Sequence, residues 1–100
     1  MDQVHRRVRA GVIGIMNTIY NSPHFCVVEF SPLEADETRA AAGFEIMDKH
    51  MRREIFLGGE DAEQFRASVQ KLISGEPSMD DVDEFLSGYT GLMTMPLTLH

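Results

Sequence analysis

The sequence has few residues that could cross-link the fold through disulfides or bind a structural metal. It has one cysteine, Cys26, and no tryptophan. One cysteine cannot form an internal disulfide, and no CxxC or paired Cys/His spacing indicates a zinc site. This usage agrees with a reducing compartment. No apolar run approaches the roughly 20 residues that span a bilayer, so we expect no membrane segment.

Familiar catalytic motifs are missing too. The sequence contains no GxSxG elbow, no Walker loop and no HExxH helix. A glycine pair, Gly58 and Gly59, precedes a helical pattern, but acidic residues directly after it occupy the position where a phosphate would bind. Asp48 and His50 would give a metal only two ligands, and a site needs three or four. We therefore predict no cofactor and no metal site.

Positive charge is scarce and unevenly placed. The net charge is −7, and residues 1–15 carry Arg6, Arg7 and Arg9 against a single acid, so the rest of the chain carries −9. An acidic body repels phosphate backbones, which disfavours nucleic-acid binding except through this arm. The change in character at Met16 suggests that residues 1–15 are a leader, either disordered or added by an upstream start. We expect residues 16–100 to form one domain.

The pattern along that domain changes from strands to helices. "IMNTIY" and "HFCVVEF" read as strands around a turn, and two runs of period two flank "DKHMRR", a link of hairpin length. The charged residues in "EIMDKHMRREIFLGG" are then explained by a solvated turn and by solvent-exposed positions on the two strands. We predict an α+β fold, with an antiparallel sheet of three to five strands followed by a two-helix hairpin packed on one face.

The helices are indicated by apolar residues at helical spacing and by their end signals. The first stripe has five members: Ala62, Phe65, Val69, Leu72 and Ile73. Gly75 suits the end of that helix, and Ser78 with Asp81 has the spacing of a capping box for the next. The second stripe comprises Val82, Phe85, Leu86 and Tyr89.

Several ordered blocks of the sequence resemble a known family. "IYNSPHFCVVEF", "GFEIMDKHMRREIFLGG", "EPSMDDVDEFL" and the terminal "LH" are together similar to a small betaproteobacterial family of uncharacterised proteins, a domain of unknown function. The resemblance covers about residues 16–100 and leaves out the leader. It implies a small cytoplasmic bacterial protein and transfers no catalytic or binding residue.

Two functional hypotheses remain open at this point. The first is a non-enzymatic, homo-oligomeric interaction module with an unknown protein partner. The second is a small enzyme that uses His24, Cys26 and His50, with Asp48 and Glu54 as further candidate groups. An enzyme requires two of these side chains to converge in a concave pocket, whereas a buried cysteine is ordinarily inert.

Both faces of the predicted sheet are apolar, which favours a homodimer. We group Cys26, Val28 and Phe30 with Ile46, Ile55 and Leu57 under the helices, although the two faces could be exchanged. The opposite face is then too apolar to be exposed to solvent. Either the C-terminal tail or another subunit covers that face. The tail alternates with period two, so we expect it to be extended and packed, with Pro96 at an edge or at the start of a strand. The functional alternative is that the tail is a short docking peptide for another protein. The candidate interface comprises Phe25, Val27, Met47, Phe56, Leu97 and Leu99.

Overall fold

In the part of the chain that the structure describes, six antiparallel strands lie side by side in chain order, and two helices follow the fifth strand. The computed structural model describes residues 6–9, 12–32 and 42–96. The strands are β1 Arg6–Arg9, β2 Val12–Asn21, β3 Phe25–Pro32, β4 Gly43–Asp48, β5 Arg53–Gly58 and β6 Met95–Pro96. The helices are α1 Gly59–Ile73 and α2 Met79–Ser87, followed by a 3₁₀ turn at Thr90–Leu92.

This architecture confirms the predicted α+β class. The long strands β2 to β5 form the body of the antiparallel sheet, and the helices come after it in the chain. The two-residue strand β6 pairs with the start of β5 at the edge of the sheet, which agrees with the position expected for Pro96. Leu97 and Leu99 lie outside the described residues.

The turn within the charged stretch has the predicted hairpin form. Lys49, His50, Met51 and Arg52 are exposed between β4 and β5. The Asp48 carboxylate accepts the backbone N–H groups of His50 and Met51, both at 3.0 Å, and the Asp48 carbonyl accepts the N–H of Arg52 at 2.9 Å. The strand positions do not follow the prediction, because Glu45 and Glu54 are buried at 1% and 3% exposure.

The pairing register corrects the predicted grouping of the two sheet faces. Val27 pairs with Ile46, and Ile46 with Ile55, so these three side chains share one face. Cys26 pairs with Met47 on the other face. Alternation within each strand was right, but β3 was assigned to the wrong side of its neighbours. We call the face that contains Val27 the helix face and the opposite one the back face.

The main core lies between the helix face and the two helices. Phe65 of α1, at 1% exposure, contacts the rings of Phe44, Phe85 and Tyr89 at centroid distances of 4.9, 6.0 and 5.6 Å. Fully burying such a side chain contributes about 1.5–3 kcal/mol to stability. The buried members of this cluster are Phe25, Val27, Phe44, Ile46, Leu57, Ala62, Phe65, Leu86 and Met93.

The helix ends follow the predicted signals in one case and depart from them in the other. Ser78 caps α2 in a capping box with Asp81, as the spacing indicated. At the end of α1 the left-handed conformation falls on Glu76, with φ of 54°, and not on Gly75. A residue with a β-carbon therefore occupies the position that favours glycine.

Residues from the predicted leader also take part in strand pairing. The backbone of β1 pairs with the first four residues of β2, from Arg6 opposite Ile15 to Arg9 opposite Val12. This pairing does not show whether the domain needs residues 1–15 in order to fold. Their dispensability stays a prediction.

Candidate functional site

An apolar cleft opens between the two helices and the first long hairpin of the sheet. Its volume is about 190 Å³. For comparison, a known apolar cavity of about 150 Å³ binds benzene. The cleft is lined by Ile19, Tyr20, Val27, Phe65, Val69, Leu72, Ile73, Val82, Phe85 and Leu86. Its size and lining suit one large apolar side chain or a small apolar molecule.

The strand side of the cleft is shaped by an irregularity in β2. The ladder between β2 and β3 shifts register between Thr18 and Tyr20, so Ile19 is an extra residue in β2. Such a bulge bends its strand and redirects the neighbouring side chains. Tyr20 and Val27, which pair across the ladder, both line the cleft. Ile19 lines it as well while remaining 46% exposed.

A hydrogen-bonded node fixes α2 against this hairpin. The Asp83 carboxylate accepts the hydroxyl groups of Tyr20 and Ser22, each at 2.8 Å. The Ser22 oxygen in turn accepts the backbone N–H groups of His24 and Phe25, at 3.1 and 3.0 Å. Hydrogen bonds to a charged acceptor are stronger than neutral ones, so this node holds one wall of the cleft in position.

The cleft borders negative charge. Burial raises the pKa of Tyr20, and the hydrogen bond to Asp83 and the charge of Asp80 raise it further, although the contact with Ser22 lowers it. The Tyr20 hydroxyl thus stays protonated over the physiological range. Helix α2 carries four acids and no base: Asp80, Asp81, Asp83 and Glu84. Lys71 in the last turn of α1 supplies some opposite charge.

Apolar side chains remain exposed near the cleft. Ile73 at the end of α1 is 59% exposed, and Met79 at the start of α2 is 51% exposed. Ile73 belongs to the lining, and the carbonyl of Met79 lies 3.2 Å from the Tyr20 hydroxyl. Together with Ile19 these side chains form a rim, which we call the cleft rim. Exposed apolar side chains grouped around a cleft are a feature of interaction sites in soluble proteins.

Two histidines from different turns meet at one end of the sheet. His24 lies in the turn between β2 and β3, and His50 lies in the turn between β4 and β5. His24 Nδ1 lies 2.7 Å from His50 Nε2, and the ring centroids are 4.7 Å apart. Both side chains are exposed. The turns that carry them are joined, because the Lys49 N–H donates to the His24 carbonyl at 2.9 Å and the Lys49 ammonium donates to Asn21 Oδ1 and the Ser22 carbonyl. The sequence singled out both histidines but could not show that they meet.

The candidate enzyme groups are not assembled as that hypothesis requires. The two histidines meet on the surface, whereas Cys26 is a partly buried residue of the back face. Burial raises the pKa of the Cys26 thiol, although the charge of Lys49 works in the opposite direction. A nucleophilic cysteine needs a lowered pKa. The direction of the pKa shift at Cys26 is thus the opposite of the one that activates a thiol.

The acidic candidates for catalysis, Asp48 and Glu54, are both buried. Besides the turn bonds, the Asp48 carboxylate accepts the Thr90 hydroxyl at 2.8 Å. Burial alone would raise the pKa of Asp48, but these hydrogen bonds and the nearby His50 together lower it below the usual value. Glu54 is buried on the back face beside Met47. Within the described ranges, no three His, Cys, Asp or Glu side chains are grouped to hold a metal ion.

The predicted interface residues are divided between the two faces. Phe25 and Val27 are buried in the core beneath the helices, which corrects their grouping with the opposite face. Met47 and Phe56 lie on the back face, Met47 buried and Phe56 partly exposed. Their role in an interface stays a prediction. The predicted apolar stripes of α1 and α2 supply much of the cleft lining, but their spacing did not predict that a cleft would remain between the helices and the sheet.

Comparisons with known proteins place the described domain beside relatives without assigned roles. A family model described as "Protein of unknown function (DUF3567)" matches residues 16–100. Protein BTH_I0359 of Burkholderia thailandensis is 52% identical over 85 residues, which are 85% of this chain and all of that relative. No solved structure matches the chain. No helix among the residues that the structure describes has the length and apolarity to cross a membrane.

Proposed function

We propose that this chain, which belongs to the DUF3567 family of proteins of unknown function, is a non-enzymatic protein-interaction module. The observation that carries the proposal is the open apolar cleft with its exposed rim. The ligand is an apolar side chain presented by a partner protein. A cytoplasmic location is part of the proposal and rests on the cysteine usage of the sequence.

The lining of the cleft favours binding over catalysis. Tyr20 is the one residue in it with a polar side chain, and its hydroxyl is already bonded to Asp83. Catalysis requires a nucleophile, a base or an electrostatic stabiliser that faces the reacting atoms. An apolar pocket of this size instead favours burial of an aliphatic or aromatic anchor residue, as in the central pockets of protein interfaces.

The charge around the cleft specifies the partner further. Asp80 and Asp83 act electrostatically on Tyr20, and the whole of α2 carries four acids without a base. Complementary charge steers association and disfavours like-charged partners. The proposed ligand is therefore a peptide segment with an apolar anchor and flanking Lys or Arg residues. Its affinity should fall as salt concentration rises.

Peptide selection against the folded protein tests this proposal. A displayed random-peptide library is selected on the wild-type chain, and the binding of enriched peptides is measured by fluorescence anisotropy. We expect peptides with one large apolar residue near basic residues. Substitution Val69→Phe, which fills the cleft, should weaken their binding at least tenfold, whereas Leu92→Ser, which changes an exposed apolar residue of the 3₁₀ turn, should not.

The selection also has outcomes that refute the proposal. Peptides that bind Val69→Phe as well as the wild type would show that the cleft is not their site. An absence of enriched peptides would argue against an interaction module of this kind. Circular dichroism and thermal melting of Val69→Phe establish that the filled variant is folded before binding is compared.

Self-association is the homodimer form of the same proposal. The cleft rim and the partly exposed Phe56 are the described apolar surfaces that a second copy would cover. Sedimentation equilibrium at high micromolar concentration tests it, with Phe56→Glu and Ile73→Glu as variants that separate the back face from the rim. A wild-type monomer at that concentration would rule out the homodimer and leave the peptide-binding proposal standing.

A further inference from the structure

The convergence of two imidazoles on joined turns points to a metal-binding function at a place separate from the cleft. His24 Nδ1 and His50 Nε2 lie 2.7 Å apart on exposed side chains. We propose that His24 and His50 form a two-histidine surface site for a borderline divalent transition-metal ion such as Zn²⁺, in which water molecules supply the third and fourth ligands that such a site needs. Neither the family model nor the relative assigns such a site.

The distance between the nitrogens suits chelation after a small rearrangement. Zn–N bonds of about 2.0–2.1 Å at a tetrahedral angle place two ligand nitrogens roughly 3.3 Å apart. The observed pair therefore needs to open by only about 0.6 Å to admit the ion. The ion would replace the present hydrogen bond between the two nitrogens, and because both rings are exposed they have room to rotate.

The backbone that carries the histidines is held in place by hydrogen bonds of neighbouring groups, and none of these bonds uses His24 Nδ1 or His50 Nε2. The Lys49 N–H donates to the His24 carbonyl at 2.9 Å, and the Lys49 ammonium donates to Asn21 Oδ1 at 2.6 Å and to the Ser22 carbonyl at 2.7 Å. Ser22 in turn fixes the N–H of His24. Preorganised ligands lose less conformational freedom on binding, so two histidines on turns that are joined by hydrogen bonds form a better site than two on turns that are not joined.

The chemistry of the ligands selects the ion class. Neutral imidazole suits Zn²⁺, Ni²⁺ and Cu²⁺, while Mg²⁺ and Ca²⁺ prefer oxygen ligands. The Asp48 carboxylate accepts the backbone N–H of His50 at 3.0 Å, so negative charge lies close to the site, which favours a cation. Lys49 opposes it, but its ammonium is directed into the hydrogen bonds with Asn21 and Ser22. With two protein ligands the site should be weaker than a structural zinc site of four.

Calorimetric titration with Zn²⁺ tests the site, using the full chain and its four histidines. We expect one Zn²⁺ per chain, with His24→Gln and His50→Gln each weakening binding at least about tenfold, since even outer-shell partners contribute that much to metal affinity. The chain's other two histidines supply the matched control, because the double variant His5→Gln/His100→Gln should bind Zn²⁺ as the wild type does. Imidazole NMR signals of His24 and His50 should shift together on titration.

Three results would overturn the proposal. These are the absence of a saturable Zn²⁺ isotherm, equal binding by the His24→Gln and His50→Gln variants, and loss of binding in the His5→Gln/His100→Gln control. Circular dichroism of each variant shows whether the fold is retained. Sedimentation with and without Zn²⁺ then identifies the remaining ligands: an unchanged mass supports completion by water, and a doubled mass overturns that part in favour of a second copy.

Discussion

Two residues with side chains occupy left-handed backbone positions, and replacing them with glycine should stabilise the protein. Arg52 in the β4–β5 turn has φ of 56°, and Glu76 after α1 has φ of 54°. They are the non-glycine residues with positive φ in the described part of the chain. Both are exposed, so glycine removes little packing.

The expected gain follows from two opposing terms. A β-carbon in the left-handed region costs roughly 1–2 kcal/mol, which glycine avoids. Glycine loses more backbone freedom on folding, at roughly 0.5–1 kcal/mol relative to alanine. The net stabilisation is about 0.5–1 kcal/mol for each of Arg52→Gly and Glu76→Gly. In a domain of this size each kcal/mol raises the melting temperature by about 4–8 °C.

The pair also separates conformation from charge. Glu76→Gly moves the net charge from −7 one unit toward zero, while Arg52→Gly moves it one unit further away. Urea unfolding followed by circular dichroism gives the free energy of unfolding of both variants at low and high salt. Stabilisation of both by similar amounts would identify the backbone as the cause. The matched controls Met51→Gly and Gln70→Gly, at nearby exposed residues without positive φ, should destabilise.

The reasoning is refuted if both glycine variants lose stability or match their controls. If Glu76→Gly alone gains, and high salt abolishes the gain, relief of charge repulsion explains the result better than backbone strain. Unchanged slopes against urea concentration are required for the comparison, since a change in slope would indicate an altered unfolded state.

Three further predictions concern other parts of the fold. Tyr20→Phe should lower the free energy of unfolding by about 1 kcal/mol through loss of the bond to Asp83; because the folded pKa of Tyr20 is raised, wild-type stability should also decline as pH rises above about 10, and thermal melts should show a shallower decline in the variant. Gly43→Ala should destabilise by at least about 2 kcal/mol in the same urea assay, since its β-carbon would lie 2.2 Å from the Leu57 carbonyl oxygen; an unchanged midpoint would contradict that packing. A chain that begins at Met16 should melt within a few degrees of the full chain, and a large loss would show that β1 or the first four residues of β2, which are removed with it, contribute to stability.

Local patterns in the sequence were sufficient to predict most elements of the fold. The alternation around "DKHMRR" gave the β4–β5 hairpin, because a short link fixes the register of its strands. The pairing of Ser78 with Asp81 gave the start of α2, because capping depends on residues three apart. The left-handed position at Glu76 escaped prediction, since Gly75 beside it is the better residue for that conformation.

The grouping of the sheet faces failed where sequence gives no register. The predicted sets were right across β4 and β5, where Ile46 shares a face with Ile55. They were wrong between β3 and β4, which are separated by residues 33–42 and so lack the constraint of a tight turn. A shift of one residue moves every side chain of a strand to the opposite face. Contact between His24 and His50 was unpredictable for a related reason, since it joins two different turns.

The cleft shows what an amphipathic pattern leaves undetermined. The predicted stripe of α1 does face the sheet, but burial falls along it: Ala62 and Phe65 are buried, Val69 and Leu72 are half-buried, and Ile73 is 59% exposed. Periodicity specifies the side of a helix that is apolar, not the distance at which that side packs. The unfilled end of the stripe coincides with the bulge at Ile19 and the acidic start of α2. The fold leaves this apolar surface only partly covered, so a partner protein could bury it. The cleft-filling variant Val69→Phe tests whether a partner binds there.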